Sequence, residues 1–225
     1  MRGYYSEKLS AERLRRVYDI APPRVKQYLQ AEIDFVLDHV RPGDRVLELG
    51  CGYGRVLEFL AEKAGMTVGI DTSHQSLLMA RDLMKSMADR CRLVEMDASQ
   101  LAFRDDVFDV IVCIQNGISA FKVDNTQLFA QAVRVVRPGG KALFSSYVEK
   151  FWGPRLEWFK IQAEHGLLGE IDYAASGNGV VVCKDGFRAT TVKAHEFASL
   201  ARNADAGCSI TEVDESSLFC VLTAG

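Results

Sequence analysis

Two periods organise the apolar and polar positions of this chain. From residue 25 to 40, apolar side chains recur at Val25, Leu29, Ile33, Val36, Leu37 and Val40, the three-four spacing that gives a helix one buried face. Ser10 is placed to cap a shorter preceding helix that runs to Asp19, and Pro22-Pro23 interrupts the two. Arg41-Pro42-Gly43 stops the longer helix. From residue 46 the pattern changes. Apolar runs at 46–49, 66–70, 91–96, 110–114 and 142–148 read as strands, and amphipathic stretches at 55–64, 73–87 and 125–136 read as helices between them. Strand and helix in regular succession predict a parallel sheet covered on both faces, and the unbroken apolar run at 110–114 suits a central strand.

After residue 148 the spacing predicts a helix over 154–167 and short strands at 180–183 and 187–192. The turn Lys184-Asp185-Gly186 between those strands makes them a hairpin. A helix at 195–204 and strands at 209–213 and 218–222 complete the pattern. Residues 1–40 are therefore expected to form a helical cover or lid, and 41–225 the main domain, with 168–192 as a hairpin insertion.

Composition narrows the classes. A chain of 225 residues that is 48% hydrophobic and 25% charged can bury a core without disulfide or metal staples. Lys plus Arg total 27 against 30 Asp plus Glu, and no basic stripe is long enough to follow a phosphate backbone, so a nucleic-acid partner is not expected. Arg13, Arg15 and Arg16 read as the solvated side of a helix. No apolar run reaches the roughly 18 to 20 residues of a membrane span, and the first residues lack a signal-peptide core, which together predict a cytoplasmic protein without a membrane partner. The six cysteines show no C-x-x-C pair and fall mostly in apolar runs, so buried free thiols are expected and no metal site.

The informative segment is Val46-Leu47-Glu48-Leu49-Gly50-Cys51-Gly52-Tyr53-Gly54-Arg55. A strand enters three glycines at alternate positions and then a helix, so the backbone can approach a ligand and the helix N-terminus can face it. A dinucleotide fold places its third glycine one residue later, in G-x-G-x-x-G, and the nucleotide P-loop signature is absent, which argues against NAD, FAD and ATP. The second strand ends at Gly69-Ile70-Asp71, where a carboxylate can accept both hydroxyls of a ribose, and the third ends at Asp97-Ala98. Each acid alone is equally well read as a cap. Together, three strand ends converge on one adenosine-shaped site.

Those marks, with Phe108-Asp109-Val110-Ile111-Val112-Cys113 and the Arg137-Pro138-Gly139-Gly140 turn, resemble the class I S-adenosylmethionine-dependent methyltransferase family over residues 41–148. The resemblance implies an α/β fold with a doubly wound, mostly parallel seven-stranded sheet whose last strand, 217–222, is antiparallel. It implies S-adenosylmethionine as cofactor. Glu48 and the backbone of Gly50 and Gly52 would line its methionine part, with Cys51 and Gly54 in the same turn. Asp71 would bind the ribose, and Asp97 with the Ala98 amide would read the adenine. Thr72 stands where the family often has an apolar residue packed on adenine. Gln115 and Asn116 end the fourth strand beside the expected methyl position, Gln115 toward the cofactor and Asn116 toward the substrate; an ordinary polar turn is the alternative. The N-P-P-Y or D-P-P-Y motif of amide and base-amine methylation is absent there.

Catalysis by such a cofactor needs alignment and exclusion of water more than an elaborate constellation. No catalytic residue is identified. His74 lies closer to the adenosine than to the methyl, and His165 and His195 are expected in solvent. Tyr4, Tyr5 and Trp152 are candidate substrate contacts, a frayed terminus and aromatic core packing being the alternatives; Trp158 is weighed with them. The expected function is methyl transfer to an N, O or S atom of a small molecule, by a monomer or homodimer. A protein or RNA methyltransferase, or a partner subunit that binds the cofactor without turnover, is the alternative.

Overall fold

The computed structural model describes Tyr4 and residues 8–225. Two helices, α1 (Glu12–Asp19) and α2 (Pro23–Leu37), come first. Proline at the start of α2 has φ preset for a helix and lacks an N–H that would be unpaired anyway. Ser10 does not cap α1: Ala11 holds the cap position with φ 50°, and its N–H donates to Ser76 Oγ at 2.9 Å. The helix start is thus tied to a neighbouring layer and not to its own side chain.

The alternating region folds as β1 (Arg45–Leu49), α3 (Leu57–Lys63), β2 (Met66–Asp71), α4 (His74–Leu83), β3 (Cys91–Glu95), β4 (Phe108–Cys113), α5 (Gly117–Ala120), α6 (Asn125–Val135) and β5 (Val136–Tyr147). These five strands are parallel. Then follow α7 (Trp152–Glu164), the short strands β6 (Val181–Val182) and β7 (Arg188–Ala189), α8 (Ala194–Asn203), β8 (Gly207–Val213) and β9 (Ser217–Thr223). Strand β9 lies antiparallel between β5 and β8, giving a seven-stranded sheet in the order β3-β2-β1-β4-β5-β9-β8. Strands β6 and β7 form a separate antiparallel hairpin.

One sheet face packs Leu47, Ile111 and Phe144 against Phe129 of α6 and Phe197 of α8. The other packs Val46, Val112, Leu143 and Phe219 against Ile33 and Val36 of α2. A further cluster sits over the carboxyl end of the sheet, where Val17, Tyr28, Tyr147, Phe151, Trp158, Phe159 and Phe187 join α1, α2, α7 and the hairpin. That cluster decides the shape of the site.

Three details depart from the sequence pattern. Arg137-Pro138-Gly139-Gly140 is not a turn before the fifth strand but a bulge within it: Phe108 pairs with Val136 and Val110 with Lys141, Gly139 takes φ 74°, and Arg137 is held by Asp109. Helix α7 begins at Trp152, two residues early, because Pro154 is tolerated in a first turn. Five cysteines are buried, but Cys208 is exposed because β8 is the sheet edge. Among the described residues no helix is long and apolar enough to cross a membrane.

Candidate functional site

Strand β1 pairs with β2 on one side and β4 on the other, so the chain connections diverge there and leave a crevice at the carboxyl ends of the strands. The glycine turn forms its floor. The N–H groups of Gly50 and Cys51 both donate to the Ile70 carbonyl, at 2.8 and 2.9 Å. Gly50 has φ 73°, and a Cβ there would lie 2.4 Å from the Phe121 ring, so only glycine brings this backbone to the crevice.

Asp71 pins the loops on either side. One carboxylate oxygen accepts the Gly52 N–H at 2.9 Å and the other accepts the Ser73 N–H at 2.8 Å. Burial raises its pKa, against the pull of these N–H bonds. Asp97 folds one oxygen back onto Ser99, at 2.8 Å from its N–H and 2.7 Å from its hydroxyl, in an Asx turn. Both acids line the crevice with Thr72 and Ala98, as do Glu48, Gly50, Cys51, Gly52 and Gln115.

Gly54 does not line it. Its φ is 93°, and a Cβ would meet Ala80 at 3.2 Å, so this third glycine serves the close approach of the turn to α4.

At the other end of the crevice stand groups with unmet hydrogen-bonding capacity. Glu48 is 5% exposed, and burial pushes its carboxyl up to about 8 despite the nearby Arg55 guanidinium, with the Asp71 charge adding to the rise. Arg55 lies over the Tyr18 ring of α1, 4.5 Å from its centroid. Glu48 Oε2, Arg55 Nη2 and Gln115 Nε2 are buried without a hydrogen-bond partner among the described residues. A carboxylate, a guanidinium and an amide, all lining one crevice, match the ammonium and carboxylate of an amino-acid moiety. With two acids at the ribose and adenine end, the residues present fit S-adenosylmethionine along its whole length.

Gln115 and Asn116 both adopt the left-handed region, with φ 57° and 59°. A buried carboxylate holds the first: Glu32 Oε2 accepts the Gln115 N–H at 2.6 Å, while Oε1 accepts the Ser217 hydroxyl at 2.6 Å. Burial raises Glu32 to about 7. Asn116 turns away from the crevice. Its amide donates to the Thr190 carbonyl at 2.9 Å and its oxygen accepts from Ser146 at 2.8 Å, so it ties β5 to the chain after the hairpin and contacts no ligand space.

The crevice is roofed by Leu9, Leu14, Val17 and Tyr18 and walled by Tyr147, Trp158, Phe159 and Gln162. Trp158 Nε1 donates to the Val17 carbonyl at 3.0 Å, linking roof to wall. Trp152 is outside this wall and packs beside Arg155. Tyr4 is also outside, its hydroxyl on Asp185 and its ring against Phe187 of the hairpin segment. Tyr5 lies outside the described residues. His74 pairs with Glu95 at 3.0 Å at the surface, and His165 and His195 are exposed. Glu32, Arg55 and Gln162 did not stand out in the sequence. Glu32 carried a signal nonetheless: a carboxylate on the apolar stripe of α2, beside Leu29, Ile33 and Val36.

A methyltransferase domain model matches residues 46–140. Methyltransferase GfsG of Streptomyces halstedii is 34% identical over 149 residues, covering 65% of this chain and 50% of that protein. The 2-methyl-6-phytyl-1,4-hydroquinone methyltransferase of Synechocystis is 35% identical over 128 residues, covering 53% of this chain and 39% of that protein. The chain therefore spans half or less of the length of these relatives. In fold it is similar to the N-methyltransferase NodS from Bradyrhizobium japonicum, solved with S-adenosyl-L-homocysteine, with a TM-score of 0.62 at 17% identity over 96% of this chain and 94% of that one. Glycine turn, paired acids, strand order and matched domain agree: residues 46–140 form a methyltransferase domain, and S-adenosylmethionine is the cofactor its crevice fits.

Proposed function

We propose that this protein transfers a methyl group from S-adenosylmethionine to an N, O or S atom of a small molecule. The observation that carries the reading is the set of orphaned polar atoms on Glu48, Arg55 and Gln115, in one crevice with Asp71 and Asp97. Such atoms are costly unless a ligand satisfies them. The cofactor supplies an electrophilic methyl carbon, so the chain's work is orientation and exclusion of water. Asp71 and Asp97 fix the adenosine, Glu48 and Arg55 fix the amino-acid end, and α1 with α7 closes an apolar chamber over the place where the acceptor meets the methyl group. Residues 1–40 act as the cover, and the hairpin at 181–189 braces it through Tyr4 and Phe187.

Relatives whose names specify hydroquinone and ubiquinone-biosynthesis substrates support a small-molecule acceptor. The exposed Arg15 and Arg16, on a roof helix with acidic neighbours, build no phosphate-binding stripe, which supports the same choice over RNA. Calorimetry with S-adenosylmethionine, S-adenosylhomocysteine and NAD tests the cofactor half. Binding of both sulfur ligands and no NAD is expected; NAD binding with no response to either sulfur ligand refutes the proposal. Methyl transfer from labelled cofactor to small acceptors tests the other half.

A further inference from the structure

The charged residues that line the cavity, Glu48, Arg55, Asp71 and Asp97, all come from the ends of β1 to β3 or the glycine turn, where the cofactor is held. The acceptor end, built from α1, the end of β5 and α7, presents Val17, Tyr18, Tyr147, Trp158, Phe159 and Gln162 beside the roof residues Leu9 and Leu14, among the described residues. Among the described residues no lysine or histidine lines any part of the cavity, and the one cation that does is Arg55, which the methyltransferase reading gives to the cofactor carboxylate. An acceptor carrying a phosphate or carboxylate would therefore shed its water without a partner of its own.

A cationic acceptor is disfavoured for a different reason. Aromatic walls can hold an ammonium through their ring faces, but these rings already carry guanidiniums. Arg55 lies 4.5 Å from the Tyr18 centroid, and Arg155 lies 4.4 Å from that of Tyr147 and 5.5 Å from that of Phe159. Arg155 is 1% exposed and donates to the Gly179 carbonyl at 2.8 Å, so it is fixed behind the wall and does not leave these rings. The ring faces that could take an ammonium are therefore already occupied.

One side-chain amide stands among these walls. Gln162 lines the cavity at 2% exposure, and no hydrogen bond holds its amide among the described residues. A buried primary amide offers a donor and an acceptor to a single neutral group. Around it stand Tyr18, Tyr147, Trp158 and Phe159, and Trp158 is locked in place through its bond to the Val17 carbonyl. Flat aromatic walls bury most surface against a flat ring.

Building on the methyltransferase reading, we infer that the acceptor is an uncharged aromatic hydroxyl compound, its ring held among Tyr18, Tyr147, Trp158 and Phe159 and its hydroxyl-bearing edge oriented by Gln162. In the transfer the aryl oxygen bonds to the methyl carbon, the bond from that carbon to sulfur breaks with its electron pair returning to sulfur, and the hydroxyl proton passes to water.

A matched ring series tests this: 2-naphthol, 2-naphthyl phosphate, 2-naphthoate and 2-naphthylmethylamine, offered to the full chain with labelled S-adenosylmethionine. Binding of each compound to protein loaded with S-adenosylhomocysteine is read by tryptophan fluorescence. We expect the naphthol to bind and be methylated at least tenfold better than any charged member. Gln162→Leu should lower kcat/KM for the naphthol at least tenfold while cofactor affinity stays within twofold; Gln162→Met is the alternative if the leucine variant melts early. Preference for a charged member, or no binding of the naphthol by protein that binds cofactor, overturns the inference. Naphthol that binds but is not methylated overturns the hydroxyl as acceptor, and so does unchanged kcat/KM in both Gln162 variants. Failure to bind S-adenosylmethionine at all is a different result, which refutes the methyltransferase reading itself.

Discussion

Cofactor binding should expel a proton from Glu48. In the free protein burial holds this carboxyl at about 8, so near pH 7 it is mostly neutral, and its Oε2 has no partner. The bound cofactor brings positive charge to the amino-acid end of the crevice. A unit charge at about 4 Å and an effective dielectric of about 20 favours the carboxylate by roughly 4 kcal/mol, and even at twice that distance by roughly 2 kcal/mol. At about 1.4 kcal/mol per pKa unit this lowers Glu48 by about 1.5 to 3 units, to below neutrality. About 0.7 to 0.9 of a proton should then leave per cofactor bound at pH 7, and affinity should rise about four- to eightfold from pH 6.5 to 7.5 before levelling above 8. Calorimetry in two buffers of different ionisation enthalpy measures the proton directly. Glu48→Gln should abolish the release and flatten the pH profile. A wild-type protein that releases no proton at pH 7, or whose affinity is constant from pH 6 to 8, refutes the argument.

Two further outcomes follow from the other carboxylates. Asp71→Ala removes the ribose acceptor together with the bonds to Gly52 and Ser73, each about 1.5 to 3 kcal/mol for a charged partner; cofactor affinity should fall at least tenfold in a folded protein, and unchanged affinity would show that Asp71 serves only the loops. Glu32 is raised from 4.5 to about 7, so its contribution to stability is full below about pH 4.5 and is lost as pH rises through 7. That loss amounts to roughly 3 kcal/mol, so Glu32→Gln should reduce the fall in melting temperature between pH 5.5 and 8 by several degrees, and an identical fall in both proteins would count against it.

The order of elements and the cofactor end were legible because they are local. A strand, its glycine turn and its following helix lie together in the chain, so the meeting of Gly50, Gly52, Asp71 and Asp97 at one crevice could be read from period and spacing, while their roles toward a cofactor came from the family resemblance. The bulge at Gly139 was not, since a strand that continues past a Pro-Gly-Gly run depends on Asp109 reaching Arg137 from the neighbouring strand. The same limit explains the substrate candidates. Asn116 and Trp152 stand where chain position puts them near the methyl group, but Asn116 finds partners in Thr190 and Ser146 and rotates away, while α7 starts early enough to present Trp158, Phe159 and Gln162 to the crevice in its place. Helical rotation of one element, set by packing on Tyr147 and Val17, chose the wall.

Contacts between distant parts of the chain also join the two halves of the site. Arg55 follows the glycine turn directly, yet its guanidinium lies on Tyr18, a roof residue from α1. That roof is fastened at three further points: Ala11 to Ser76, Arg13 to the Gly166 and Leu167 carbonyls, and the Val17 carbonyl to Trp158. On the proposed function, Arg55 takes up the carboxylate of the cofactor, which would fix its plane from one side and Tyr18 against it. The ring that flanks the acceptor is thus ordered by the ligand that supplies the methyl group. Trp158 both donates to α1 and walls the chamber, so the roof and the acceptor wall are held as one unit. On the proposed function, cofactor first and acceptor second is the order in which each ligand completes the surface needed by the next.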